Sequence, residues 1–211
     1  MKDIQAFLFD MDGVVADTES QYDLFLSKLK EEYQLASDFV NQVKGTRLPD
    51  IMEKYFSHLS EEEKREIEDK VINFERNDME YKYIPGASEA IRLAKKKGFK
   101  IGLVTSSLKV KVEVALKKLN LENTFDVVVT GNDVTQGKPE PQCYLLAADK
   151  LGVLPEKCLV FEDSFAGIEA GKRAKMKVIG LSTTNSEKSL ADKVNIIIPD
   201  FVNFNIENIL Q

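Results

Sequence analysis

KIGLV (100–104), DVVVT (126–130), CLVFE (158–162) and KVIGL (177–181) are short apolar runs separated by helical patterns over 109–119, 140–151 and 165–175. Strands that alternate with helices in this way predict a parallel, doubly wound sheet. Working outward, a helix is expected over 87–97, stopped by Gly98, and a last strand over 194–198 (VNIII). Towards the amino end, IQAFLFD (4–10) reads as a further strand of the kind buried on both faces. Between that strand and the rest, residues 18–83 have another texture, rich in Glu, Lys, Leu and Tyr, with one glycine (Gly45) and one proline (Pro49). Leu26, Leu29 and Tyr33, then Val40 and Val43, suit two helices, and Pro49 opens a third through Ile51, Met52, Tyr55 and Phe56. Ser60 followed by Glu61, Glu62 and Glu63 is a capping box that starts a fourth, expected to run to about Lys82. The charge run EEEKREIEDK within it reads as a solvated helix face. The expected architecture is thus a three-layer α/β core over 1–16 and 84–211, with an all-α domain inserted over 17–83.

Composition narrows the function. The chain has 211 residues, enough to bury a core without disulfides or metal. Its 29 Lys and Arg face 35 Asp and Glu, giving a net charge of −6. An acidic chain without a basic tract suits neither nucleic acid nor an anionic membrane, and no apolar stretch is long enough to span one. Residues 1–10 hold a short apolar run leading straight into Asp10 and Asp12, so no signal peptide is expected; the expectation is a cytoplasmic monomer. Cys143 and Cys158 lie in apolar stretches without metal-site spacing, and the single histidine, His58, excludes mechanisms that need two. Neither cysteine has an arginine six residues on, which excludes a cysteine phosphatase. GNDVTQGKP (131–139) fails as a phosphate-binding P-loop, because five residues separate its glycines and Pro139 stands where Ser or Thr should be.

Ligands of doubly wound sheets bind beyond the carboxyl ends of the strands. Four polar clusters fall there: Asp10-Met11-Asp12-Gly13, Thr105-Ser106-Ser107, Gly137-Lys138-Pro139 and Glu162-Asp163-Ser164. Singly, each is explained by a turn, a helix cap or an exposed loop lysine. Together they bring four carboxylates, a lysine and hydroxyls to one sheet edge. Unit charges 4 Å apart repel by about 4 kcal/mol at an effective dielectric of 20, so the convergence calls for a cation. Oxygen ligands without histidine or thiolate suit Mg²⁺, and Lys138 adds attraction for a phosphate dianion. A carboxylate nucleophile is ionised at neutral pH and needs no separate base, while Asp12 is placed to protonate a leaving alkoxide and then activate water. These residues suggest Mg²⁺-assisted phosphoryl transfer through an aspartyl phosphate.

FDMDGVVADTE (9–19), LVTSS (103–107), GKPEP (137–141) and FEDSFAGIEAG (161–171) resemble, in order and spacing, the four motifs of the haloacid dehalogenase superfamily. The resemblance is to the branch of β-phosphoglucomutase and small sugar-phosphate phosphatases. It implies a Rossmann-like core and makes the insertion a four-helix cap. It also implies Asp10 as nucleophile and Asp12 as general acid/base. Mg²⁺ would be held by Asp10, the Asp12 carbonyl, Asp163, and Glu162 directly or through water. Thr105, the Ser106 amide and Lys138 would hold the transferring phosphate oxygens. In the cap, KGTR (44–47) and ERND (75–78) resemble substrate-facing segments and nominate Arg47 and Arg76. Tyr22 stands where the mutases carry a histidine, a departure that favours hydrolysis. The expected activity is therefore a phosphatase of small phosphorylated metabolites, sugar phosphates above all. A β-phosphoglucomutase and a non-catalytic phosphate-metabolite binder are the alternatives.

Overall fold

A computed structural model describes residues 3–207; residues 1, 2 and 208–211, which the sequence reading assigned to the core, lie outside the described residues. Strand β1 (Ala6–Phe9) is followed by helices α1 (Glu19–Glu32), α2 (Phe39–Val43), α3 (Leu48–Phe56) and α4 (Glu61–Asn73). Then come α5 (Ala87–Lys96), β2 (Lys100–Val104), α6 (Lys109–Lys118), β3 (Val127–Val129) and α7 (Gln142–Leu151). The chain continues through β4 (Cys158–Glu162), α8 (Phe165–Arg173), β5 (Lys177–Leu181), α9 (Glu187–Leu190) and β6 (Ile196–Ile198). The strands form one parallel sheet in the order β3-β2-β1-β4-β5-β6.

Side chains alternate across a strand, and here both faces are covered. Phe7, Phe9, Leu103, Phe161 and Ile179 share one cluster with Ile91 and Ala94 of α5 and Val112 and Ala115 of α6. Ala6, Leu8, Val104 and Val160 share another with Cys143, Tyr144 and Ala147 of α7 and Ala170 of α8. Burial on both faces is why these strands read as continuous apolar runs. Full burial of each large side chain contributes about 1.5–3 kcal/mol. The four inserted helices carry their own core, with Leu29, Phe39, Val43, Met52, Phe56 and Ile67. Pro49 stands in the first turn of α3, and the Ser60–Glu63 capping box closes in both directions.

The fourth inserted helix is shorter than its pattern predicts. α4 ends at Asn73, a single wide π-turn covers Phe74–Asp78, and residue 79 is extended. The reason is long-range. The returning chain pairs with the outgoing one, the Asp17 amide donating to the Lys82 carbonyl at 2.8 Å and the Ile84 amide to Val15 at 3.1 Å. A helix to Lys82 would forfeit those bonds. The other departures are small: β3 and β6 are three residues each, and α9, capped by Ser186, had no counterpart in the sequence pattern.

Candidate active site

β1 lies at the centre of the sheet, with Phe9 in register with Leu103 of β2 and Phe161 of β4. The residues that follow those three strands therefore emerge side by side. Asp10 is buried, and its Oδ1 accepts from Lys138 Nζ at 2.8 Å. The same ammonium donates to Glu162 Oε1 at 2.5 Å and to the Val104 carbonyl at 3.3 Å. Burial raises the Asp10 carboxyl most, Lys138 offsets part of it, and Glu162 and Asp12 add to it, so that it is pushed up to about 8. Asp163 is raised as well, by burial and then by Glu162 and Asp10. Burial alone would lower Lys138, but Asp10 and Glu162 hold its ammonium above the ordinary lysine value. Lysine alone does not neutralise this cluster.

One oxygen each from Asp10, Glu162 and Asp163 lies within 4.8 Å of the others, a spacing a hard cation can bridge. The donor set separates them, however. Among the described residues no donor reaches Asp10 Oδ2, and the Asp163 carboxylate receives only the Thr184 hydroxyl. Glu162 is fully spent: Oε1 accepts from Lys138 and from Tyr144 at 2.8 Å, while Oε2 accepts from the amides of Asp163 and Ser164 and from the Ser164 hydroxyl at 3.0 Å. Asp10 and Asp163 thus fit a cation, and Glu162 instead anchors Lys138. Of the two expected modes, direct or through water, this favours the second, because a carboxylate with both oxygens satisfied gains little by exchanging them. The packing is tight around both acids. A Cβ on Gly13, whose φ is +71°, would stand 1.9 Å from Asp163 Oδ2, and one on Gly167 would stand 1.7 Å from Glu162 Oε1. The glycines of the first and fourth motifs are there to let these carboxylates approach the backbone.

Asp12 belongs to a separate web. Its Oδ1 accepts from the Thr18 hydroxyl at 2.5 Å and from Lys111 Nζ at 2.5 Å, and its Oδ2 from the Ser107 hydroxyl at 2.7 Å. Burial would raise the Asp12 carboxyl, but Lys111, Thr18 and Ser107 outweigh it and hold the group below its ordinary value. Lys111 is wholly buried, and its ammonium sits 4.3 Å over the Tyr22 ring. Sequence reasoning missed Thr18, Lys111 and Thr184. Lys111 stands among other lysines on α6 and reads there as a solvated charge.

Thr105 is buried at the end of β2 and its hydroxyl accepts from the Ser107 amide at 3.0 Å; the Ser106 hydroxyl donates to the Gly45 carbonyl of the insertion at 2.7 Å. The two nominated arginines lie elsewhere. Arg47 turns away from the cavity: it grips Asp50 through Nε and Nη2, and donates to the carbonyls of Val134 at 2.5 Å and Thr135 at 2.8 Å. It joins insertion to core, and its donors are consumed there rather than offered to a substrate. Arg76 is exposed, because the π-turn rotates its neighbour Glu75 inward instead. Glu75, Glu19, Tyr22, Asp23 and Lys44 of the insertion line a cavity whose floor is Asp10, Asp12, Thr105, Ser106, Lys111 and Asp163.

The sequence profile of the haloacid dehalogenase-like hydrolases matches residues 7–181. A phosphorylated carbohydrates phosphatase of Thermotoga maritima is 37% identical over 186 residues, covering 81% of this chain and 82% of its own. Hexitol phosphatase B of Escherichia coli is 29% identical, covering 84% and 83%. The crystal structure of a β-phosphoglucomutase from Clostridium difficile superposes with a TM-score of 0.79 at 27% identity, over 98% of this chain and 95% of the other.

Proposed function

Because this chain belongs to the haloacid dehalogenase-like hydrolases and is a phosphoric monoester hydrolase of that superfamily, we propose a specific course for its reaction: Asp10 is the nucleophile and Asp12 the acid/base in Mg²⁺-dependent hydrolysis of small sugar phosphates. In this reading residues 17–83 act as a cap over a core of 1–16 and 84–211, and the substrate is enclosed between them. The observation that carries the proposal is the state of Asp10, a residue that lines the cavity: one oxygen is fixed by Lys138 at 2.8 Å and the other is left without a donor among the described residues.

Asp10, ionised once a bound cation offsets its acidic neighbours, attacks phosphorus through a carboxylate oxygen, the bond from phosphorus to the ester oxygen breaks, and Asp12, which takes up a proton as the anionic substrate enters beside it, delivers that proton to the departing oxygen. Water then attacks the phosphorus of the aspartyl phosphate, Asp12 takes its proton, and Asp10 is released as carboxylate together with inorganic phosphate. The Thr105 hydroxyl and the Ser106 amide hold the phosphoryl oxygens, and Lys138 joins them by giving up its long bond to the Val104 carbonyl, so that fixed donors meet the charge as it builds up. Mg²⁺ held by Asp10, Asp163 and the Asp12 carbonyl would supply charge neutralisation at the same oxygens. Glu162 keeps the Lys138 ammonium in place. Tyr22 donates its phenol to Glu75, so it is not a base at neutral pH, which supports hydrolysis over the mutase alternative. Asp10→Asn is isosteric and not nucleophilic; phosphate release from p-nitrophenyl phosphate should fall by at least about a thousandfold with the circular dichroism unchanged. Activity retained within about tenfold would refute the covalent course.

A further inference from the structure

The cap side of the cavity holds a charge that nothing in the phosphoryl-transfer chemistry uses. Glu75 sits in the π-turn after α4 and is 4% exposed. Its Oε1 accepts the Tyr22 phenol, while its Oε2 is buried with no hydrogen-bond partner among the described residues. The carboxylate is also held rigidly. The Tyr81 hydroxyl donates to the Glu75 carbonyl at 2.9 Å, and the adjacent Phe74 ring stacks on Phe25 at 4.4 Å and meets Tyr22 edge-on. A buried carboxylate oxygen left unsatisfied is costly, and an incoming donor removes that cost.

The lysines that could serve an anionic ligand are already engaged. Lys44 Nζ lies 2.8 Å from Asp23 Oδ1 and 3.9 Å from Glu19 Oε2, and Lys111 is bound to Asp12. Arg47 is committed to Asp50 and the core carbonyls. Among the described residues the cap wall therefore shows Glu19, Asp23 and Glu75 with one shared cation, and a second anionic group on the substrate would meet like charge.

We propose that Glu75 Oε2 is the acceptor for a hydroxyl on the distal part of the substrate, and that the cap wall selects phosphate monoesters whose remainder is an uncharged polyol, against bisphosphates and phosphorylated carboxylic acids. This rests on the phosphatase reading above and sharpens its substrate class. Discrimination of this kind uses both an attractive and a repulsive element.

The test compares two substrates of equal length on the Mg²⁺-loaded full chain: glucitol 6-phosphate, and 6-phosphogluconate, which replaces the terminal hydroxymethyl by a carboxylate. With wild-type protein, kcat/KM should favour the polyol by about thirtyfold. Glu75→Gln removes the repelling charge while keeping the volume, so it should raise KM for the polyol and narrow the ratio by about tenfold. Should the variant fold poorly, the wild-type ratio alone decides. Equal or better turnover of 6-phosphogluconate or fructose 1,6-bisphosphate, alongside release from p-nitrophenyl phosphate, would overturn the selection while leaving the phosphatase reading standing. A ratio unchanged in folded Glu75→Gln would remove Glu75 from it. No phosphate from any ester, p-nitrophenyl phosphate included, would overturn both.

Discussion

Asp10 and Asp12 stand two residues apart, yet the fold moves their acidities in opposite directions, and stability should record the difference. Burial and its acidic neighbours push Asp10 from 3.8 up to about 8. A carboxyl raised on folding is protonated more readily in the native state, so it lowers stability as pH climbs from its unfolded value through its folded one. The metal-free protein should therefore lose unfolding free energy between about pH 4 and pH 8, as measured by urea titration. Asp10→Asn should flatten that slope and stabilise the metal-free protein at the upper end; a slope unchanged in the variant would contradict the assignment. Mg²⁺ should raise Tm more near pH 8 than near pH 5, since protons compete for the same oxygens. Asp12 has the reverse sign. Held below its ordinary value, it contributes stability above about pH 4 that is lost only as the solution grows more acidic. Removing its partner by Lys111→Met leaves a buried carboxylate unpaired and should cost about 3–5 kcal/mol. Combining that change with Asp12→Asn should recover much of the loss, whereas additive losses would show that the two groups do not interact.

At the scale of elements, the loop 44–47 and the π-turn 74–78 decide what the insertion presents to the core. Arg47 was expected from its motif to reach the substrate, but its guanidinium is spent on Asp50, Val134 and Thr135. Arg47→Ala should therefore loosen the cap for every substrate alike. The expected result is a drop in kcat/KM of about tenfold for p-nitrophenyl phosphate and for a sugar phosphate, the two losses within about threefold of each other. A loss confined to the sugar phosphate would return Arg47 to the substrate. The strands were readable because burial on both faces leaves apolar runs, and the Ser60–Glu63 box was readable because capping is local. The end of α4 was not, since it is set by pairing with residues 15–17 across the insertion. That pairing also sets the rotation of the turn, so the motif ERND pointed to Arg76 when the side chain that turns inward is its neighbour Glu75. Lys111 was hidden for a related reason: only the approach of α1 and of the loop after β1 converts a helix-face lysine into a buried partner for Asp12.

For the whole molecule, the parallel sheet brings its loops to one edge and the inserted helices line the same cavity, and the proposed reading assigns phosphate chemistry to the core side and the rest of the substrate to the cap side. The division predicts that the metal and the phosphate site act on every substrate while the cap sorts them. Replacing Mg²⁺ by Ca²⁺, which takes more oxygen ligands at looser geometry, should accordingly depress turnover of all substrates in proportion and leave their ranking unchanged. The central claim is that phosphate passes through the side chain of Asp10. Its most direct measurement is a rapid acid quench during turnover of p-nitrophenyl phosphate with Mg²⁺, followed by borohydride reduction and peptide mass spectrometry. An acyl phosphate at Asp10 is reduced to homoserine, so the account predicts homoserine at position 10, dependent on substrate and absent in Asp10→Asn. Turnover with an unmodified Asp10, or with the phosphoryl group trapped on another side chain, would contradict it.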